Sequence, residues 1–202
     1  MDAYEGLGNL LASQNDPQGA REAYEQGLRD GSAIAAYRVG LIHYEAGDLV
    51  AARKAWEAGM DIGGPKPSSK GGYVIEKGED LGVGLCALQL GNLLYAEGDK
   101  PGAILAWKLA ALRGSAQAAY NLGAEAFRDD DAEEAIRSWR FGTKLGSGPS
   151  AHALGLLFTA RGDTENARQA FKMAVELGDS NAIALLQMLD EPSASNEHAS
   201  ST

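Results

Sequence analysis

Basic residues are scarce in this sequence. Lysine and arginine number 18 against 28 aspartates and glutamates, for a formal charge of −10. Nucleic-acid binding needs a basic face for the phosphates, so that class of partner is excluded, while a basic or a hydrophobic partner is compatible with the charge. Cysteine is nearly absent. The single Cys86 excludes an internal disulfide, which points to a reducing compartment. Its neighbours Leu85, Ala87 and Leu88 mark it as a small core residue. No apolar run approaches the ~20 residues that cross a bilayer. The start, Met1-Asp2-Ala3-Tyr4-Glu5, has no basic region followed by an apolar stretch. The expectation is a soluble, cytoplasmic chain without a membrane segment. Only 3 histidines are present, His43, His152 and His198, and no two have metal-ligand spacing. The sequence therefore predicts no metal, no cofactor and no catalytic constellation.

Glycine, by contrast, is abundant, with 26 in 202 residues, and its placement is periodic. Tyr24, Trp56, Trp107, Trp139 and Phe171 each have a glycine 16 residues before them: Gly8, Gly40, Gly91, Gly123 and Gly155. Each has an alanine four before it (Ala20, Ala52, Ala103, Ala135, Ala167) and a glycine seven after it (Gly31, Gly63, Gly114, Gly146, Gly178). The aromatics are spaced by 32, 51, 32 and 32 residues, so one insertion of 19 lies between the second and third copies. Five copies in one phase are the signature of a repeat array.

Each copy reads as two helices. The first shows apolar residues at helical spacing, as in Val39-Ile42-His43 and Leu90-Leu93-Leu94. A break follows at Gly47-Asp48, Gly98-Asp99 or Gly162-Asp163, where glycine ends one helix and aspartate caps the next. Pro17 and Pro101 fall at the start of second helices, where the missing N–H costs nothing. In the second helix the alanine and the aromatic, four apart, share a face. One hairpin cannot bury both of its apolar faces, but stacked hairpins can.

The pattern resembles the tetratricopeptide repeat. That family has an aromatic early in the first helix, then Leu-Gly and an apolar residue, a Gly-Asp turn, and alanine and aromatic in the second helix. The first copy follows it with Tyr4, Leu7-Gly8, Leu11, Asn15-Asp16, Ala20 and Tyr24. The period is 32 rather than the usual 34 or so, and the family's linking proline is missing. The links Gly31-Ser32, Gly114-Ser115 and Gly178-Asp179 resemble those of Sel1-like repeats. The resemblance implies an all-α, right-handed α-solenoid of five helix-turn-helix repeats with a C-terminal capping helix. Copies are expected at about 2–31, 33–63, 83–114, 115–146 and 148–178, with the capping helix at 179–189. An inserted loop at about 64–82, with a helical turn near Val74–Lys77, and a disordered tail at 191–202 complete the chain.

For function, the resemblance implies a non-catalytic scaffold or adaptor that binds a peptide or protein segment in a concave groove lined by first helices. The alternatives it leaves are a small-ligand receptor, a regulatory subunit of an enzyme, and a self-associating structural protein; the oligomeric state is open. The outward groove positions are Tyr37, Leu88, Tyr120 and His152, then Asn9, Leu41, Asn92 and Leu156, then Tyr44, Tyr95 and Phe127. Rings supply contact area there and asparagines can pair with a peptide backbone. The other reading of these rings is packing against neighbouring copies. Adaptors of this family that clamp chaperone C-terminal carboxylates use groove cations; the matching positions here hold Glu5, Tyr37, Leu88 and Tyr120, so that activity is not expected. The acids Glu125, Asp129, Asp130, Asp131, Glu133 and Glu134 lack calcium-loop spacing and favour a helix N-terminus instead.

Overall fold

The computed structural model describes residues 3–62, 66–67, 73–74 and 80–190. They form two compact units, one up to Ala118 and one from Ala119.

The first unit contains α1 (Ala3–Ser13), α2 (Pro17–Arg29), α3 (Ala33–Glu45), α4 (Leu49–Ile62), β1 (Lys66–Pro67), β2 (Tyr73–Val74), α5 (Asp80–Ala96) and α6 (Lys100–Leu112). The turns between helices share one construction. At Gly98, φ is +88°, a left-handed conformation that a Cβ would disfavour. The next N–H, from Asp99, then closes on the Leu94 carbonyl at 2.9 Å. Asp99 also opens α6, because its side chain accepts from the Gly102 N–H. One Gly-Asp pair thus ends a helix and starts another. Asn15 and Asp130 take the same left-handed conformation without being glycine, at φ 61° and 59°; short polar side chains tolerate it best. Pro17 is the first residue of α2 and Pro101 the second of α6.

Helices pack with their chain neighbours, α1 on α2, α2 on α3, α3 on α4, α4 on α5 and α5 on α6. First helices also meet, α1 with α3 and α3 with α5. The 19-residue insertion therefore does not interrupt the stack. A Cβ on Gly59 of α4 would lie 2.4 Å from the Cys86 sulfur, and one on Gly82 of α5 would lie 2.5 Å from the Ile34 nitrogen. Cys86 is fully buried at this junction, and burial pushes its thiol up to about 12. It packs as a small apolar residue.

The structure differs from the expected loop in two places. Lys66 pairs with Val74 and Pro67 with Tyr73 in a short antiparallel ladder, so Val74 is extended rather than part of a helical turn; valine and tyrosine favour that geometry. Helix α5 starts at Asp80, inside the stretch expected to be loop. It runs that far because Gly82 packs against the start of α3 and the next residue, Val83, is buried. The remainder of the insertion, and the tail at 191–202, lie outside the described residues. Since α4 and α5 already lie side by side, deleting residues 65–78 should leave the helical circular dichroism per molecule intact and shift melting by only a few degrees. Collapse of the helical signal would make the insertion part of the fold.

The second unit holds α7 (Ala116–Arg128, which starts in the first unit), α8 (Ala132–Lys144), α9 (Gly148–Ala160), α10 (Thr164–Glu176) and α11 (Asn181–Asp190). Its core joins Ile136, Trp139, Leu154, Leu157, Phe158 and Phe171 with buried alanines. Helix α11 packs on α10 and buries Ala182. Of the acidic cluster, Asp131 caps α8 by accepting from the Glu134 N–H at 3.0 Å, and buried Glu125 pairs with Arg128. Among the described residues, no helix is long and apolar enough to cross a membrane.

Candidate functional site

The glycine sixteen residues before each second-helix aromatic is where that ring lies against the first helix. An added Cβ would fall 2.2 Å from the Tyr24 ring at Gly8, 2.1 Å from Trp56 at Gly40, 2.5 Å from Trp107 at Gly91, and 2.4 Å from Trp139 at Gly123 and from Phe171 at Gly155. The ring occupies the space a side chain would take. Its polar edge then needs a partner, because burying an unsatisfied N–H is costly. Two solutions occur. The Tyr24 hydroxyl donates to Asn9 Oδ1 at 2.8 Å, and the Trp107 indole to Asn92 Oδ1 at 3.0 Å. Where the residue after the glycine is apolar, the indole turns to a backbone carbonyl. Trp56 donates to Tyr37 O at 3.3 Å, and Trp139 to Tyr120 O at 3.2 Å.

These bonds give the two asparagines a partner within their own copy: Asn9 Oδ1 accepts from the Tyr24 hydroxyl and Asn92 Oδ1 from the Trp107 indole, while Asn9 remains exposed. Leu88 departs from the expected surface position. It is 7% exposed and belongs to the core. A leucine lacks the polar tip that keeps a tyrosine at a surface, and α3, α4 and α6 all pack on its helix. His152 is engaged too: its Nδ1 lies 2.9 Å from Asp179 Oδ2, and its ring meets Phe171 edge-on.

The rings four residues after the glycine behave differently. Tyr44 packs on Trp56 with centroids 5.8 Å apart, Tyr95 on Trp107 at 5.3 Å, and Phe127 on Trp139 at 5.9 Å. Tyr44 nevertheless remains 51% exposed and Phe127 50% exposed. Each of these rings thus packs on the aromatic of its own copy, and Tyr44 and Phe127 keep about half of their surface open to solvent. Tyr37, Leu41, Tyr95 and Tyr120 are half-buried, and Leu156 is exposed. In the first unit Tyr37, Leu41, Tyr44 and Tyr95 come from neighbouring first helices; in the second, Tyr120, Phe127 and Leu156 come from α7 and α9.

Sequence reasoning missed the indole-to-carbonyl bonds. It also missed a recess between α8, α9 and α10 that Arg140 and Lys144 line. The signal for the recess was present, because neither cation has an acid three or four residues away on its helix.

Residues 5–67 match the tetratricopeptide repeat family. Among solved structures, the chain is similar to a Sel1 repeat protein from Oxalobacter formigenes, with TM-score 0.68 and 19% identity over 91% of this chain and 76% of that one. It is similar to MamA, with TM-score 0.56 and 19% identity over 87% and 96% of the two chains. It is also similar to YrrB, described as a TPR protein with an unusual peptide-binding site, with TM-score 0.53 and 18% identity over 92% and 90%. Among curated proteins, none matches the sequence. At these identities the likeness establishes the fold, an all-α array of tetratricopeptide and Sel1-like hairpins.

Proposed function

Starting from an array of tetratricopeptide-type repeats with Sel1-like links, we propose that the chain is a non-catalytic scaffold or adaptor whose first helices bind a peptide or protein segment. The carrying observation is the pair of half-exposed rings at equivalent positions, Tyr44 on Trp56 and Phe127 on Trp139. A ring pinned on one face and open on the other loses little rotamer freedom when a ligand covers it. Such preorganised anchors favour binding, and aromatic anchors often dominate interface energies. The Tyr44 hydroxyl makes no hydrogen bond among the described residues, which leaves a donor for a peptide carbonyl. The net charge of −10 favours a basic or hydrophobic segment. The single buried thiol suits a reducing, cytoplasmic setting. The peptide-binding site named for YrrB lends the reading support by analogy of fold.

The test begins with affinity capture and mass spectrometry to identify a partner, followed by calorimetric titration. Tyr44→Ala and Tyr120→Ala should each weaken binding at least tenfold, about 1.4 kcal/mol or more. Tyr120 packs on the core of its unit, so its variant needs a melting curve beside the titration. Glu57→Ala, a surface control whose carboxylate pairs with Arg53, should change nothing. Full-strength binding by both folded tyrosine variants would exclude the first-helix surface as the main contact.

A further inference from the structure

The recess in the second unit has a chemistry unlike the rest of the chain. It measures about 180 Å³ and lies between α8, α9 and α10. Leu154 and Phe158 of α9 and Ala170 and Met173 of α10 give it an apolar floor. Arg140 and Lys144, one turn apart on α8, line it as well, and none of its ten lining residues is an acid. The guanidinium carbon of Arg140 lies 5.9 Å from the Phe158 ring centroid. That contact holds a cation beside the floor while keeping its charge.

The two cations are also unneutralised. Neighbouring arginines of this unit are paired: Arg137 with Glu134, Arg161 with Glu133 and Arg168 with Glu165. Arg140 and Lys144 have no ion pair among the described residues. The nearby carboxylates Asp163 and Glu165 are engaged by Asn166, Arg168 and Gln169. Comparison of the copies isolates the feature further. The positions of Arg140 and Lys144 are filled by Glu25 and Arg29, Glu57 and Asp61, Lys108 and Leu112, and Lys172 and Glu176 in the other four. Only the fourth copy has a cation at both, in a chain whose net charge is −10.

The volume narrows the occupant. Small-molecule sites usually measure about 300–1,000 Å³, whereas this recess suits a single side chain. We propose that it anchors a polypeptide segment in which one apolar side chain, of leucine, methionine or phenylalanine size, stands next to an aspartate or glutamate. The apolar group fills the floor and displaces water from it. The carboxylate meets Arg140, whose planar fork donates two hydrogen bonds to it, and Lys144 adds a second charge. The site is built largely from second helices, and Leu156, the exposed leucine of α9, is not part of it. It therefore stands apart from the first-helix surface and does not rest on it.

The probe is a synthetic ten-residue peptide with one leucine between two aspartates, titrated into the isotope-labelled full chain and followed by amide NMR. Three matched peptides replace the aspartates by asparagine, the aspartates by lysine, or the leucine by serine. The expected result is chemical-shift change concentrated on α8, α9 and α10. Affinity should fall at least tenfold for each altered peptide and for the doubly charge-reversed Arg140→Glu/Lys144→Glu protein. Both residues are exposed, so that variant keeps the core intact. Ala170→Leu, which fills the recess, should also abolish the shifts while circular dichroism confirms folding. Equal binding by the lysine-flanked peptide or by the charge-reversed protein would overturn the proposal. So would shifts confined to α1, α3 or α5, or no shift for any peptide up to about 1 mM, the range of weak specific binding.

Discussion

Trp139→Ala should lower the unfolding free energy by about 3–5 kcal/mol, read as a drop in the urea midpoint with an unchanged slope. The indole is 5% exposed and sits in the core of its unit with Ile136, Leu154 and Phe158. Removing it empties the space against Gly123, since the glycine has no side chain to move in. It also strips Phe127 of the ring it packs on and leaves the Tyr120 carbonyl without its indole donor. The lost transfer energy and the cavity therefore add to a lost hydrogen bond. Trp107→Ala should behave alike in the first unit, where Asn92 loses its indole donor and Tyr95 its ring neighbour. Typical domains are stable by only ~5–15 kcal/mol, so either loss would be visible at once. A midpoint unchanged in both variants would mean that the glycine–aromatic pairing does not hold the hairpins together.

The 16-residue spacing behind that pairing was legible in the sequence because it is local; the contact of ring on glycine came from the structure. Gly40 and Trp56 belong to one hairpin, and their separation is set by two helices and one turn. Turn signals were legible for the same reason: Gly98-Asp99 is both a helix end and a cap, whatever surrounds it. Two kinds of feature were not readable. The first depends on how copies meet. Leu88 stands in the position of Tyr37 and Tyr120, yet it is buried, because packing from three other helices decides exposure there. The start of α5 is similar: its first turns form against α3, far from it in sequence. The second kind is competition for one polar group. Nothing in the sequence alone says that Tyr24 and Trp107 donate to the Oδ1 atoms of Asn9 and Asn92. A hint existed in the copies themselves. Copies one and three carry asparagine after the glycine; copies two and four carry Leu41 and Ala124 there, and their indoles turn to the backbone.

Gly40→Ala is expected to destabilise the first unit by about 2–3 kcal/mol, against the ordinary trend for that exchange. Within a helix, alanine is normally better than glycine by roughly 0.8–1 kcal/mol, and Gly40 lies inside α3. The added methyl, however, would sit 2.1 Å from Trp56 Nε1 and 2.4 Å from its Cδ1, far inside van der Waals contact. The indole has nowhere to withdraw. It is 1% exposed, carries Tyr44 on its ring and donates to the Tyr37 carbonyl. Either the ring shifts and gives up that bond, or α3 and α4 move apart. Overpacking of this kind costs about 1–3 kcal/mol and a broken buried hydrogen bond about 1–3 more, enough to outweigh the helix-propensity gain. Two controls separate the causes. Gly47→Ala meets nothing within 4 Å and is penalised only through its φ of +79°, so it should cost about 1–2 kcal/mol. Combining Gly40→Ala with Trp56→Leu should cost less than the sum of the two single changes, because a smaller side chain makes room for the methyl. Urea unfolding of all four proteins measures both quantities. If Gly40→Ala proves neutral or stabilising, the close approach of ring to helix is not what requires glycine at the first-helix positions 8, 40, 91, 123 and 155.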